Sequence, residues 1–397
     1  MSDSNNCILT INGGSSSIRF AFYQINAAFT LILTGKLANI GSNTTKPVLT
    51  NNVSKEPETV EVYQNTYEHA ANFLIERLEE RQEFSNILAI GHRIVHGMQH
   101  TEPQEITPEL LVYLKEISPY DPEHLPEEIK LIELFSKRHP ALKQVACFDT
   151  SFHASMPAVA KRLTIPRQFY EKGLQRYGFH GLSYAYLMQE LERLAGKEAA
   201  NGRIILAHLG NGASLAAVSN GKSVDTSMGF TPASGVMMGS RSGDLDPGVA
   251  WYMMRFEKLS PRQFSHLINH ESGLLGFSET SSDMQELMTI EDSDDRAAEA
   301  IELFCYQIKK SIGSFAAVLG GIDLLVFSGG IGENIPQIRS RICQHLGFLG
   351  IELDDHRNQK NDPVISSEIG KVTVRVIATN EELMIARLVS QVINLAI

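Results

Sequence analysis

Cysteine is scarce in this chain: four in 397 residues, at Cys7, Cys147, Cys305 and Cys343, with no CxxC spacing. That scatter argues against a zinc site or a disulfide framework and leaves buried, reduced thiols. Positive charge is also short, with 35 Lys and Arg against 46 Asp and Glu and a net charge of -11. Such a balance argues against nucleic acid and against an anionic membrane surface as partners. No apolar run approaches the ~20 residues that span a bilayer. The opening MSDSNNC lacks the cationic and apolar regions of a secretory signal, so the expected location is the cytoplasm. Any bound phosphate must be met by local cations, backbone N–H groups and a metal ion, because the overall field is of the wrong sign.

What is present is a globular composition, 43% apolar and 20% charged, in a chain long enough for two domains. One short pattern occurs twice. ILTINGGSSSIRFA at 8–21 and ILAHLGNGASLAAV at 205–218 match at Ile8/Ile205, Leu9/Leu206, Gly13/Gly210 and Ser17/Ser214. Each copy is an apolar strand, a Gly/Ser/Asn loop and a second apolar stretch. A small polar loop after a buried strand offers N–H groups to phosphate oxygens. Two copies point to two related half-molecules that present loops to one polyphosphate lying between them.

Periodicity fills in the rest. Strands are expected at 8–11, 18–25, 86–95, 144–149, 324–328 and 372–378, and short β-type stretches with Asn/Thr/Lys loops at 29–62 form a surface elaboration. Helices are expected at 67–83, 107–117, 126–138 and 294–320, and over the last residues, which return to pack on the first domain. GGIGEN at 329–334 reads as a glycine turn ahead of a helix that begins near Pro336. Strands alternating with helices in two halves make the fold class α/β.

Several residues stand out, each with a plainer reading beside it. Asn12–Ser17 with Arg19 forms a phosphate loop or a simple hairpin turn, and the second copy at His208–Gly212 favours the phosphate loop. Arg93 inside AIGHRIVHG needs an anionic partner, either a structural acid or a substrate. Arg241 lies in MMGSRSGDLDPG, a loop with little core to build, which favours catalysis. Asp149 ends a strand, where α/β chemistry gathers, and capping is its rival. His180 in RYGFHG is either structural or functional. Glu381 opens a helix, where the dipole alone favours an acid.

In order along the chain, INGGSSSIRF, GHRIVHG, FDTSFH, RYGFHG, HLGNGASLAAV through GSRSGDLDPG, SGLLGFSETSSDM, VFSGGIGEN and TNEELMIAR together resemble the acetate kinase family. The resemblance covers nearly the whole chain and is most specific from His208 to Gly248. It implies a duplicated, actin-like (ribonuclease H-like) ATPase fold with a cleft between two domains. The first domain would be 1–148 plus 379–397, and the second, which binds nucleotide and dimerises, would be 149–378. It implies ATP-dependent phosphorylation of acetate and the reverse, with Mg²⁺ (Mn²⁺ as the alternative) and a homodimer, and neither nucleic acid nor membrane as partner. Arg93, Asp149, His180 and Arg241 then fall on catalytic positions, and Val95, Tyr120, Phe179 and Pro232 join Arg93 around the acyl group. Nucleotide would meet Ser15, Ser17, Arg19, His208, Leu209, Gly210, Asn211, Gly212, Asp283, Met284, Gln285, Gly329, Gly330, Ile331, Gly332 and Asn334, and metal would meet Asn12 and Glu381, with Asp149. Propionate or butyrate kinases, a pyrophosphate-linked relative and a non-catalytic nucleotide-binding regulator are the rival functions. The chain departs from the family pattern at Gly13, Arg19, Tyr120, Asp121, Leu182, Tyr184 and Gln285, and His124 is out of register with the usual histidine.

Overall fold

A computed structural model of the chain describes residues 6–14, 17–26, 28–38, 40, 46–51, 58–59 and 66–395. Ser15, expected in the first phosphate loop, lies outside the described residues. The chain divides into two compact units, Met1–Ser151 with Asn380–Ile397, and Phe152–Thr379. The second unit therefore begins slightly later than residue 149, and Asp149 belongs with the first.

The first unit is built on β1 (Cys7–Gly13), β2 (Ile18–Gln24), β3 (Thr30–Ala38), β4 (Lys46–Asn51), β5 (Glu58–Thr59), β6 (Ile87–Ile94), β7 (Gln104–Glu105) and β8 (Lys143–Phe148). They form one sheet in the order β5-β4-β3-β2-β1-β6-β8-β7. Within the surface elaboration expected at 29–62, the described residues include the added strands β3, β4 and β5, which widen this sheet. Strands β1, β6 and β8 are parallel, while β1 to β5 run antiparallel in sequence. The parallel strands are covered on both faces, which is why they read as nearly unbroken apolar runs. Leu9, Ile11, Phe20, Phe22, Leu74, Ile75, Leu131 and Phe135 share a buried cluster on one face. Helix Tyr67–Glu79, shorter than expected and followed by a 3₁₀ turn at Gln82–Asn86, supplies Leu74 and Ile75. Helix Leu125–Arg138 supplies Leu131 and Phe135.

The C-terminal helix Glu381–Val392 packs against β1 and β6. Its approach is close enough to require a glycine. A Cβ on Gly91 of β6 would lie 2.4 Å from Ile385 Cγ2 and 2.5 Å from Val389 Cγ2.

The second unit is built on β9 (Arg203–Leu209), β10 (Ala213–Ser219), β11 (Lys222–Thr226), β12 (Leu324–Ser328) and β13 (Thr373–Val376), in the order β11-β10-β9-β12-β13. Strands β9, β12 and β13 are parallel, and β9-β10-β11 antiparallel. The order and sense reproduce β3-β2-β1-β6-β8 of the first unit, so the sequence repeat is a repeat of sheet topology. Helix Gly181–Ala200 places Tyr184, Leu187 and Leu191 against Ile204, Leu206, Ala216 and Val218. Helix Asp295–Leu319 packs on β10 and β9 and ends at Gly320, whose φ of 68° closes it in the left-handed conformation.

GGIGEN is not an open turn. Gly329–Asn334 is a helical turn in its own right, entered through Gly329 at φ 76°. A Cβ on Gly329 would come within 2.6 Å of the Leu209 carbonyl oxygen, so this turn and the second phosphate loop pass backbone to backbone. The Glu333 carboxylate accepts from Gly329 N–H at 2.8 Å and supplies the partner that a loop reading omits.

Candidate active site

Asn12 is next to last in β1, Arg93 next to last in β6, and Asp149 follows β8 directly. These strands are parallel neighbours, so their carboxyl ends deliver the three side chains to one edge, where α/β proteins place their chemistry. Arg93 Nη2 donates to Asp149 Oδ2 at 2.8 Å and Arg93 Nη1 to Asn12 Oδ1 at 3.4 Å. Asn12 Nδ2 donates in turn to Glu381 Oε2 at 2.9 Å. The metal-assigned Asn12 thus spends both ends of its amide orienting Arg93 and Glu381. Burial works against the Arg93 charge, but Asp149, Glu381 and Glu128 outweigh it and raise the pKa, so the guanidinium stays charged. Its Nε has no hydrogen-bond partner among the described residues.

Two acids that the sequence did not flag adjoin this set. Glu128, on helix Leu125–Arg138, accepts the Val95 N–H at both carboxylate oxygens, 3.2 and 3.0 Å away. Burial raises its pKa well above the ordinary value, Arg93 pulls it back, and Asp121 raises it again. Glu382 is raised by burial and by Glu381, and its Oε1 has no partner among the described residues. Glu128 was legible in principle: it sits at the apolar spacing of Leu125, Ile129 and Ile132, where an acid is out of place. The out-of-register His124 has a use as well, since its Nδ1 lies 2.9 Å from Asp121 Oδ1, both residues buried. Of the acyl-pocket assignments, Val95 and Phe179 are each 1% exposed and Pro232 is buried, whereas Tyr120 is 37% exposed at the end of a 3₁₀ turn.

The second unit gathers its own set. His180 caps helix Gly181–Ala200 in the left-handed conformation, φ 58° and ψ 26°. A histidine there carries strain on the order of 1–3 kcal/mol, as residues at working sites often do. The conformation is over-determined. Phe179 C=O lies 3.0 Å from His153 Nε2, and Gly178, at φ 75°, has no room for a Cβ beside the His153 ring. The His180 and His208 rings stack at 4.3 Å. A Cβ on Gly212 would stand 3.2 Å from His180 Nε2 and 3.9 Å from Arg241 Nη1, so the phosphate-loop backbone runs beside both. Arg241 Nη1 donates to the Pro232 carbonyl at 3.3 Å. Gly239 N–H donates to Asn211 C=O at 2.8 Å and holds the tip of the loop.

The remaining nucleotide assignments are spread more widely. Ser17 C=O accepts from Gly14 N–H at 2.7 Å and closes the first hairpin, and Arg19 is exposed opposite Asn12 on β2. Asp283 caps the helix Met284–Ile290 by accepting from Gln285 N–H at 2.7 Å, with Gln285 exposed and Met284 buried. Gly330 and Asn334 are exposed on their helical turn, and Ile331 and Gly332 are buried in it. That turn is anchored from beneath by Arg339, which is fully buried and donates to the carbonyls of Gly332 and Glu333 at 2.8 and 3.1 Å.

The acetokinase family model matches residues 7–387. The chain belongs to the acetokinase family. It is a kinase whose phosphoryl acceptor is a carboxyl group. The acetate kinase of Rhodopseudomonas palustris strain TIE-1 is 42% identical over 386 residues, 96% of each chain, and that of Pseudothermotoga lettingae is 36% identical over 397 residues, 98% of this chain and 97% of the other. Among solved structures, the acetate kinase of Porphyromonas gingivalis is similar at a TM-score of 0.87 with 37% identity, over 98% of this chain and 100% of the other. The propionate kinase of Francisella tularensis subsp. tularensis SCHU S4 is similar at 0.90 with 35% identity, over 96% and 98%. The repeated sheet of this acetokinase is the duplicated actin-like ATPase fold. No helix among its described residues is long and apolar enough to cross a membrane.

Proposed function

We propose that this acetokinase transfers the γ-phosphoryl group of ATP to acetate, forming acetyl phosphate and ADP, and runs the reverse reaction. The observation that carries this reading is Arg93: a largely buried guanidinium, 14% exposed, fixed by Asp149 and Asn12, with an Nε that has no partner among the described residues, two residues before buried Val95. A cation beside an apolar wall suits a short carboxylate. The acetate oxygen is already a nucleophile, so no general base is required. It forms a bond to the γ-phosphorus while the bond from phosphorus to the bridging oxygen of ADP breaks, and that electron pair leaves with ADP. Catalysis is then positioning and charge stabilisation. Arg93 holds the carboxylate. Arg241 and the His180 imidazole meet the equatorial oxygens of the moving phosphoryl group, and Asn211 with the 210–212 backbone and the 329–334 turn receives the nucleotide phosphates.

The donor chemistry at the carboxyl ends of β1 and β8 fits Mg²⁺. Mg²⁺ typically takes one or two carboxylates together with substrate phosphates, so a three-carboxylate cage is not needed. Asp149 and Glu381 would hold it directly or through water, with Asn12 orienting Glu381. When bound, the ion would offset charge on the phosphate oxygens. We also read the chain as a homodimer through its second unit. This rests on Trp251, Tyr252 and Met254 of helix Pro247–Arg255 and on Phe256 beyond it, all exposed apolar side chains.

Propionate is the second acceptor reading, because the solved propionate kinase is similar at a TM-score of 0.90 beside 0.87 for the acetate kinase structure. One methylene is worth only about 1–3 kcal/mol in an apolar pocket, so discrimination should be graded. Hydroxamate trapping of the acyl phosphate, over formate to valerate with ATP, GTP or pyrophosphate, tests the proposal. Acetate with ATP should give the highest kcat/KM. Product with pyrophosphate alone, or a preference for valerate, would count against it.

A further inference from the structure

We infer that Tyr184 and Ser214 are positioning residues that fix the tautomer of His180, keeping its proton on Nε2, the ring edge beside Gly212 and Arg241. The inference rests on the donor role given to His180 above and names the groups that prepare it.

Three side chains form a line. His180 Nδ1 lies 2.9 Å from Ser214 Oγ, and Ser214 Oγ lies 2.5 Å from Tyr184 Oη. Ser214 and Tyr184 are both 0% exposed. Their placement follows from the elements. Tyr184 is four residues after His180, and its N–H makes the first helical bond to the His180 carbonyl at 3.0 Å, which sets the two residues one turn apart at the start of helix Gly181–Ala200. Ser214 is the second residue of β10, paired across the ladder with His208, whose ring stacks on His180. The tyrosine ring is held by Phe152 at 5.7 Å and by His153 at 5.6 Å between ring centroids.

The chemistry gives this line a direction. A neutral imidazole has one donor and one acceptor nitrogen, and the partner of one nitrogen decides the state of the other. A phenol, with a pKa of about 10, is a stronger acid than an aliphatic hydroxyl. The favoured order therefore runs from Tyr184 O–H to Ser214 Oγ, and from Ser214 O–H to His180 Nδ1. Nδ1 then accepts, and the ring proton stays on Nε2.

The test uses the intact enzyme labelled with ¹⁵N-histidine, the His180 signals being assigned by their loss in His180→Gln. The wild type should show a protonated Nε2 and an unprotonated Nδ1. Tyr184→Phe and Ser214→Ala should keep the circular dichroism spectrum and move His180 toward a mixture of tautomers. Each should lower kcat by about tenfold, with acetate and ATP KM values changed less than about twofold. The double variant should be no slower than Ser214→Ala, because both act through one line. A wild-type proton on Nδ1, or His180 signals unmoved in both variants, would overturn the inference. Native turnover in His180→Gln, with the tautomer responding as described, would instead overturn the donor role while upholding the line.

Discussion

Arg93 and Arg241 do similar work in the proposed transfer but are embedded differently, and their variants should separate chemistry from stability. Loss of either guanidinium should lower kcat by roughly 10²–10³-fold. Arg93→Ala should also destabilise the fold by about 3–5 kcal/mol, since it leaves Asp149, 0% exposed, without its cation. Arg241 is half-buried in a loop and donates to a backbone carbonyl, so Arg241→Ala should cost less stability in urea than Arg93→Ala. Near-native turnover in either variant, or equal losses of stability in both, would refute this division. Glu128 gives a prediction in pH. Its carboxyl is held above the ordinary 4.5, first by burial, so the folded state binds that proton more tightly than the unfolded state does. The group favours folding at low pH, and its contribution is lost as pH rises above 4.5 toward the raised folded value. Glu128→Gln should therefore gain stability relative to the wild type across that rise. Urea titrations from about pH 4 to about pH 8 measure it, and a constant difference between the two proteins would rule it out. At this scale the sequence exposed the cations and Asp149, because charge inside an apolar run or beside a strand end is conspicuous. It did not expose Ser214 as the partner of His180. The two lie 34 residues apart and meet only because β10 returns beneath the helix that His180 begins.

Elements were legible where a pattern of apolar residues sets them and obscure where a single long-range contact does. Strands β1, β6, β9 and β12 and helix Asp295–Leu319 follow from period and burial. The two-residue strands β5 and β7 carry no readable period. The Gly329–Asn334 turn reads as a loop because its glycines are poor helix formers, and it is held by side chains the local pattern does not announce, the Glu333 carboxylate at the Gly329 N–H and Arg339 at the Gly332 and Glu333 carbonyls. Gly91 shows the reverse case, a small residue inside a strand whose reason is another element. Gly91→Val should push helix Glu381–Val392 away from β6, cost about 1–3 kcal/mol as overpacking does, and loosen Glu381 from Asn12. The expected readouts are a lower Tm and a higher Mg²⁺ requirement for half-maximal activity. An unchanged Tm would mean that the helix can move aside without cost.

For the whole molecule, the duplicated pattern in the sequence foretold the repeated strand order, but the two units are assembled differently from the chain. The second is one continuous segment, Phe152–Thr379, whereas the first joins Met1–Ser151 to Asn380–Ile397. The fragment 152–379 should fold by itself with a cooperative thermal transition. A fragment ending at 151 should not, because β1 and β6 would lose the helix that covers them. Calorimetry of the two fragments decides this, and a cooperative transition in the shorter one would contradict it. The same division has a consequence for synthesis. Domains ordinarily fold in the order in which they leave the ribosome. Here the unit that emerges first must wait while the whole of the second is translated, a delay on the order of tens of seconds at ordinary elongation rates. Through that interval β1 and β6 lack their cover, and Arg93 lacks Glu381 among its neighbouring acids. The nascent chain is most in need of a chaperone over residues 1–151, and the set of Asn12, Arg93, Asp149 and Glu381 is complete only once residues 380–397 have been made.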